Sequence, residues 1–253
     1  MLRNAAIKYS TFMDPILVFR HARCEGPGYL GSFLSARDVA YEVIRVDEGG
    51  RVPRSLDGVS GLVFMGGPMS VNDACPWIDE ELALIRLAHD KKLPVLGHCL
   101  GGQLISKALG GDITSNPLPE IGWFEVSGYR NRTARRWLDG LPGNFEVFHL
   151  HGETFSLPRG AQPLLKSRYC PRQAFVHGNS LALQCHVEIT ESMLREWVTV
   201  YRADFRCPSE SVQTEGEILA HLDKRIPALQ VVADHLYTRW LEGLAPAGFG
   251  EAA

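Results

Sequence analysis

Leu93-Pro94-Val95-Leu96-Gly97-His98-Cys99-Leu100-Gly101-Gly102-Gln103-Leu104-Ile105-Ser106-Lys107-Ala108-Leu109 decides how this chain folds. Its first part is a short apolar run bounded by Pro and Gly, the signal of a buried strand, and its second part is apolar at helical spacing. Between them Cys99 stands in a turn flanked by Gly97 and Gly101. A strand-turn-helix elbow strains the backbone of its central residue and crowds the neighbours, so small residues belong on both sides. A helix start beside a sulfur puts positive potential there, and with a nearby imidazole it raises the reactive fraction of a thiol that otherwise titrates near 8.5. A cysteine without such surroundings is most often a packing thiol. The strand end and the glycines make Cys99 a candidate nucleophile.

Upstream, strands and helices alternate. Pro15 to Phe19 reads as a strand, Gly26-Pro27-Gly28 as a loop, Tyr29 to Arg37 as a short helix and Tyr41 to Val46 as a second, alternating strand. Gly61 to Met65 is an apolar strand ending in Gly66-Gly67-Pro68, and Pro76 to Asp90 carries Trp77, Leu82, Ile85, Leu87 and Ala88 at helical spacing. Strands that are apolar throughout imply a parallel sheet covered on both faces. In such sheets sites gather at the carboxyl ends of the strands, here Gly66-Gly67 and the segment after Gly97.

Downstream the pattern changes to short β segments: Trp123 to Val126, Phe145 to His149, Gln173 to Val176 and Leu181 to Cys185. After Glu188 it turns helical, with Met193, Leu194, Trp197, Val198 and Tyr201 recurring at three or four residues. Thr214-Glu215-Gly216-Glu217 is a capping-box pattern leading into Ile218, Leu219 and Leu222. Without repeats, low-complexity tract or linker, the reading is a polar tail over 1–13, one domain over 14–243 with helices from about 190 packed on it, and a flexible tail over 244–253.

Composition narrows the function. The 253 residues carry 26 Lys+Arg against 29 Asp+Glu, a net charge of −3, which argues against a nucleic-acid partner. Hydrophobic residues at 45% and charged residues at 22% fit a globular chain with a real core. No run approaches the roughly 18 apolar residues of a membrane span, and no secretory h-region precedes Asp14. A cytoplasmic location is the default expectation. The six cysteines lack C-x-x-C spacing and read as reduced thiols.

A thiol nucleophile needs a base, and Gln184-Cys185-His186-Val187-Glu188 offers one. On an extended strand residues two apart share a face, so Glu188 can orient His186 as the third group of a triad does. Alone, an H-x-E pair is more often a strand-end histidine beside an unrelated glutamate. Its coincidence with the Cys99 elbow favours the catalytic reading.

Taken together, Gly66-Gly67-Pro68, Gly97-x-Cys99-x-Gly101-x-Gln103 and His186-x-Glu188 resemble the class I (triad) glutamine amidotransferases. Met69-Ser70-Val71-Asn72-Asp73, Glu120-Ile121-Gly122-Trp123, Val147 to Glu153 and Gln173-Ala174-Phe175 are similar to stand-alone relatives of the GMP synthase glutaminase domain. The resemblance runs from about Ile16 to Glu188 and leaves the C-terminal helices unmatched. It implies a flavodoxin-like three-layer α/β/α fold, here with a helical C-terminal extension. It further implies that Cys99 attacks a γ-glutamyl amide, that His186 and Glu188 complete a triad, and that the backbone N–H groups of Gly67 and Leu100 form the oxyanion hole. Gly66, Gln103, His149 and Leu150 would hold the substrate. His98 should point away and pack, and Trp123 and Phe124 belong to the core.

His149 and His151 could pair as metal ligands with Cys99 or His186, but no third and fourth ligand at zinc-like spacing accompanies them, so neither metal nor cofactor is expected. No G-x-x-x-x-G-K-S/T phosphate loop is present, and the segment after Glu188 is too short for an ATP-using domain. The chain is then either a glutaminase docked on a separate synthetase or a self-sufficient γ-glutamyl hydrolase acting on glutathione-like compounds. A non-catalytic regulatory module of the same fold is the third reading, and fold alone never establishes activity. The C-terminal helices, with Arg195, Arg202, Arg206 and Lys224, would cover the site, form a dimer surface or complete the core.

Overall fold

The computed structural model describes residues 14–244; the two expected tails, 1–13 and the chain after 244, lie outside the described residues. In chain order the elements are β1 (Ile16–Arg20), α1 (Gly28–Ser35), β2 (Tyr41–Arg45), β3 (Gly61–Phe64), α2 (Pro76–Asp90), β4 (Val95–His98) and α3 (Leu100–Ala108). Then come β5 (Ile113–Gly128), α4 (Arg132–Trp137), β6 (Asn144–Phe155), β7 (Gln162–Ser167), β8 (Ala174–His177) and β9 (Ser180–Leu183). The chain ends in α5 (Glu191–Val200), α6 (Glu215–Leu219) and α7 (Leu222–Leu241).

One nine-stranded sheet runs β2-β1-β3-β4-β9-β8-β7-β5-β6. Its first five strands are parallel and the rest antiparallel. Side chains of a strand alternate between faces, and β1 shows what that does here. Ile16 and Val18 enter one apolar core with Leu30, Trp197, Leu236 and Tyr237, while Leu17 and Phe19 enter a second with Ile78, Leu82, Leu100 and Leu104. Helices α1, α5 and α7 therefore cover one face and α2 and α3 the other, which is the three-layer arrangement that continuous apolar strands require. Edge strand β2 is only half buried, as its alternation foretold.

The C-terminal helices complete the core rather than leave it. Trp197 of α5 and Tyr237 and Trp240 of α7 are buried, and the Trp197 indole N–H donates to the Cys24 carbonyl at 2.8 Å. The Thr214–Glu217 capping box forms, with the Thr214 N–H donating to Glu217 Oε2 at 2.8 Å. The helix it starts stops at Leu219, however, and α7 restarts after His221, held at φ 58°. Three features differ from the sequence reading: β5 spans 16 residues instead of the four over Trp123–Val126, and both β7 and α4 fall where only turns were read. Leu244, expected in a tail, is buried with its Cδ2 3.1 Å from the Cβ position of Gly61.

Candidate active site

Cys99 follows the last residue of β4 and caps α3 with φ 48° and ψ −106°. A residue with a Cβ pays about 1–3 kcal/mol to sit there and stays only where the surroundings hold it. They do: its N–H donates to the Leu183 carbonyl at 2.8 Å and its carbonyl accepts from the Gln103 N–H at 3.0 Å. The neighbouring glycines follow from close approach. A Cβ on Gly101 would collide with the Phe64 carbonyl, and one on Gly97 with the backbone of Gly101.

The candidate base arrives from the other side of β4. Beyond β9 the chain bends, and the His186 N–H donates to the Phe148 carbonyl at 2.8 Å. His186 Nδ1 lies 2.6 Å from Glu188 Oε1, and Glu188 Oε2 accepts from the Val187 N–H at 2.9 Å. Both side chains are buried, and the Trp197 ring stands edge-on to the imidazole at 4.8 Å. Burial opposes charge on His186, but Glu188 and then Cys99 outweigh it and raise the imidazole well above its ordinary value. Burial likewise opposes the Glu188 carboxylate, yet His186 and then His98 hold its pKa down at about 2. With Nδ1 held by Glu188, Nε2 is the nitrogen left for Cys99, and it makes no hydrogen bond among the described residues. The Cys99 thiol donates to the Leu150 carbonyl at 3.7 Å and accepts from Gln184 Nε2 at 3.6 Å.

A cavity of about 350 Å³ opens over the sulfur, within the range of small-molecule sites. Gly67, Cys99, Leu100, Gln103, Leu150 and His186 all line it. A Cβ on Gly67 would lie 2.7 Å from Met69 Sδ and 2.8 Å from Leu100 Cδ2, so glycine leaves room for these two side chains at the cavity wall. Gln103 is buried at the cavity edge, its amide 3.3 Å from the Gln184 amide oxygen. Leu150 contributes its carbonyl. Gly66 stands behind the lining, where a Cβ would meet the Glu25 carboxylate and lie 3.3 Å from His186 Cε1. The His149 side chain is turned out of the cavity into a buried cluster, where burial lowers its pKa to about 4. His98 packs as expected, with Nε2 3.0 Å from the Tyr237 hydroxyl, and it also backs Glu188 at 3.8 Å. Trp123 is buried; Phe124 is half-buried against Tyr169.

Glu25, Tyr201 and Asp204 also line the cavity. Sequence reasoning singled out none of them as a site residue. Glu25 is buried, its Oε1 accepts from the Tyr201 hydroxyl at 2.5 Å, and burial pushes its carboxyl above the usual range despite the opposing pull of His186. Its signal was present: it lies in the loop between β1 and α1, at the carboxyl end of β1, where open α/β sheets place their sites. Tyr201 and Asp204 come from the segment after α5, so the C-terminal extension forms part of the wall.

The model of the glutamine amidotransferase class-I family matches residues 30–198. The chain belongs to that family. Among its relatives, a glutamine amidotransferase-like protein, YfeJ, of Salmonella typhimurium is 33% identical over 169 residues, covering 63% of this chain and 71% of that one. A GMP synthase of Aeropyrum pernix is 33% identical over 158 residues, 59% of this chain but 29% of the synthase. Among solved structures, a glutamine amidotransferase from Methylobacillus flagellatus is 39% identical with TM-score 0.88, covering 95% of this chain and 99% of that one. One from Thermotoga maritima is 26% identical with TM-score 0.80, over 90% and 98% of the two chains. The flavodoxin-like fold of the class I amidotransferases is thus that of this chain. No described helix is long and apolar enough to cross a membrane.

Proposed function

We propose that this amidotransferase is a cysteine hydrolase that cleaves γ-glutamyl amides through a thioester on Cys99. The observation that carries the reading is a single cavity shared by a strained elbow cysteine and the free side of an imidazole whose other nitrogen is bound by Glu188 at 2.6 Å. Cys99 Sγ adds to the side-chain carbonyl carbon while His186 takes the thiol proton. The oxyanion so formed is received by the N–H groups of Gly67 and Leu100, and one donor of this kind is worth about 3 kcal/mol of barrier. His186 then delivers its proton to the nitrogen as the C–N bond breaks, releasing ammonia or an amine. Water, deprotonated by the same ring, attacks the thioester and frees glutamate and the thiol. Glu188 holds the ring in the tautomer that can do this and stabilises the imidazolium. Gln103, Leu150 and Gly66 are assigned to holding the amino-acid end; His149 would act through its backbone.

A self-sufficient γ-glutamyl hydrolase is favoured over a subunit awaiting a synthetase, because Tyr201 and Asp204 of this same chain complete the cavity wall. The test incubates purified protein with glutamine and with glutathione and measures ammonia and cysteinylglycine separately. Cleavage of the peptide supports the hydrolase. Ammonia released only when a GMP synthase-type partner is added supports the subunit. Neither product, with Cys99 inert to alkylating glutamine analogues, refutes both in favour of a regulatory module.

A further inference from the structure

Behind the strand that presents the Leu150 carbonyl to Cys99 lies a buried polar cluster that the proposed reaction does not use. The β5–β6 register creates it. Glu120 stands opposite His151, and His149, two residues away on the same face, stands opposite Gly122. One ligand atom from each of Glu120, His149 and His151 lies within 4.8 Å of the others. Glu120 Oε2 is 3.3 Å from His151 Nε2 and 3.6 Å from His149 Nδ1. Nitrogen and oxygen donors at about 2.0–2.2 Å around a tetrahedral zinc are spaced about 3.3–3.6 Å from one another.

Two further observations point to a ligand. Among the described residues neither ring nitrogen of His149 has a hydrogen-bond partner, nor has Glu120 Oε1, although both side chains are fully buried. Orphans of this kind call for an ion or a water, since leaving one unpaired costs about 1–3 kcal/mol. The surrounding groups are also arranged as metal ligands require. His151 Nδ1 donates to the Glu153 carbonyl at 3.0 Å, which leaves its Nε2 lone pair turned to the cluster. Glu120 Oε2 accepts from the Ser167 hydroxyl at 3.0 Å and the Gln173 amide at 2.6 Å. The Gln173 amide also reaches His151 Nε2 at 3.3 Å, a long contact that a metal bond would replace.

We propose that Glu120, His149 and His151 hold a divalent first-row transition ion, zinc by the nature of the donors, which clamps β5 to β6 behind the candidate nucleophile. Two imidazoles and one carboxylate suit zinc better than magnesium or calcium, which prefer all-oxygen sites. Three protein ligands leave a fourth position for water, as in the open type of zinc site, and the clamp is independent of the γ-glutamyl chemistry.

The full chain, stripped with chelator and dialysed against zinc or cobalt(II), tests this by elemental analysis, visible absorption and thermal unfolding. One ion per chain, intense tetrahedral cobalt bands and a melting temperature raised by several degrees over the stripped protein are expected. His149→Gln should abolish binding. Ser167→Ala, which keeps all three ligands, should weaken it by about 10–100-fold. Less than a tenth of an equivalent bound to the wild type, which would leave water as the partner of His149, overturns the proposal. So does binding that is unchanged in both variants. Should His149→Gln fail to fold, Ser167→Ala and the wild-type stoichiometry still decide.

Discussion

The conformation of Cys99 can be weighed with two substitutions that both remove the sulfur. At φ 48° and ψ −106°, a side chain with a Cβ carries about 1–3 kcal/mol of strain. Alanine keeps that strain and glycine removes it. Glycine gives back about 0.4–1 kcal/mol through the larger freedom of the unfolded chain. Taking about 2 kcal/mol for the strain leaves Cys99→Gly more stable than Cys99→Ala by about 1 kcal/mol. In a domain of this size that is about 2–4 °C of melting temperature. Paired thermal scans of the two variants measure it, and both should be inactive on glutamine and glutathione while melting within a few degrees of wild type. If Cys99→Ala proved as stable as Cys99→Gly or more so, the elbow would not be strained as argued. A variant that lost several kcal/mol yet kept activity would remove Cys99 as the nucleophile.

His186→Ala should lower kcat/KM more than Glu188→Gln, since an orienting carboxylate matters less than the base it orients; steady-state kinetics returning equal or inverted losses would take Glu188 out of the triad. Glu188 also predicts an acid limit. Its folded pKa, about 2, lies below the ordinary 4.5, so the stability it contributes is complete above about pH 4.5 and is lost as pH falls through 2, amounting to about 3 kcal/mol. Urea titrations at pH 6 and pH 3 should show part of that loss in the wild type and less in Glu188→Gln. Gly101→Ala, whose Cβ would strike the Phe64 carbonyl, should cost more than about 3 kcal/mol or prevent folding. Gly216→Ala, in a helix with nothing within 4 Å, should be neutral or stabilising by up to about 1 kcal/mol; a Gly101→Ala variant that melts at the same temperature as Gly216→Ala would refute the packing argument.

The parallel half of the sheet was legible because β1, β3 and β4 are buried on both faces and so are apolar almost throughout, while edge strand β2 shows the alternation of a half-buried strand. Helix α2 was read to the residue because Pro76 opens it and its apolar stripe is clean. The antiparallel half was not. Pro117, Pro119 and Glu120 break the apolar signal of β5, and the strand continues past them only by an irregularity in register between Ser115 and Glu120. Strand β7 hides in the same way, with Pro163 next to its own register shift. The break between α6 and α7 rests on a left-handed His221 that no glycine announces. At the site, Cys99, His186 and Glu188 sit in the local patterns from which a candidate triad is read. The meeting of Glu120 with His149 and His151 depends on pairing across an irregular ladder, and Glu25 reaches the cavity through tertiary contact with Tyr201. The first leaves no mark in local spacing, and the second only its place in the loop at the carboxyl end of β1.

The Cys99 amide belongs to the same line of hydrogen bonds that ties β4 to β9, through Leu183, and His186 follows three residues later. The backbone that carries the sulfur is therefore tied to the spine of the molecule, and the backbone of His186 is held by Phe148 of β6. Those anchors move apart only if the central pairing opens, which is the last thing a folded sheet gives up. Any signal that acts on this site has to work at the periphery of the cavity, on the Gly67 turn or on the Tyr201 wall, while the backbone at its floor stays still.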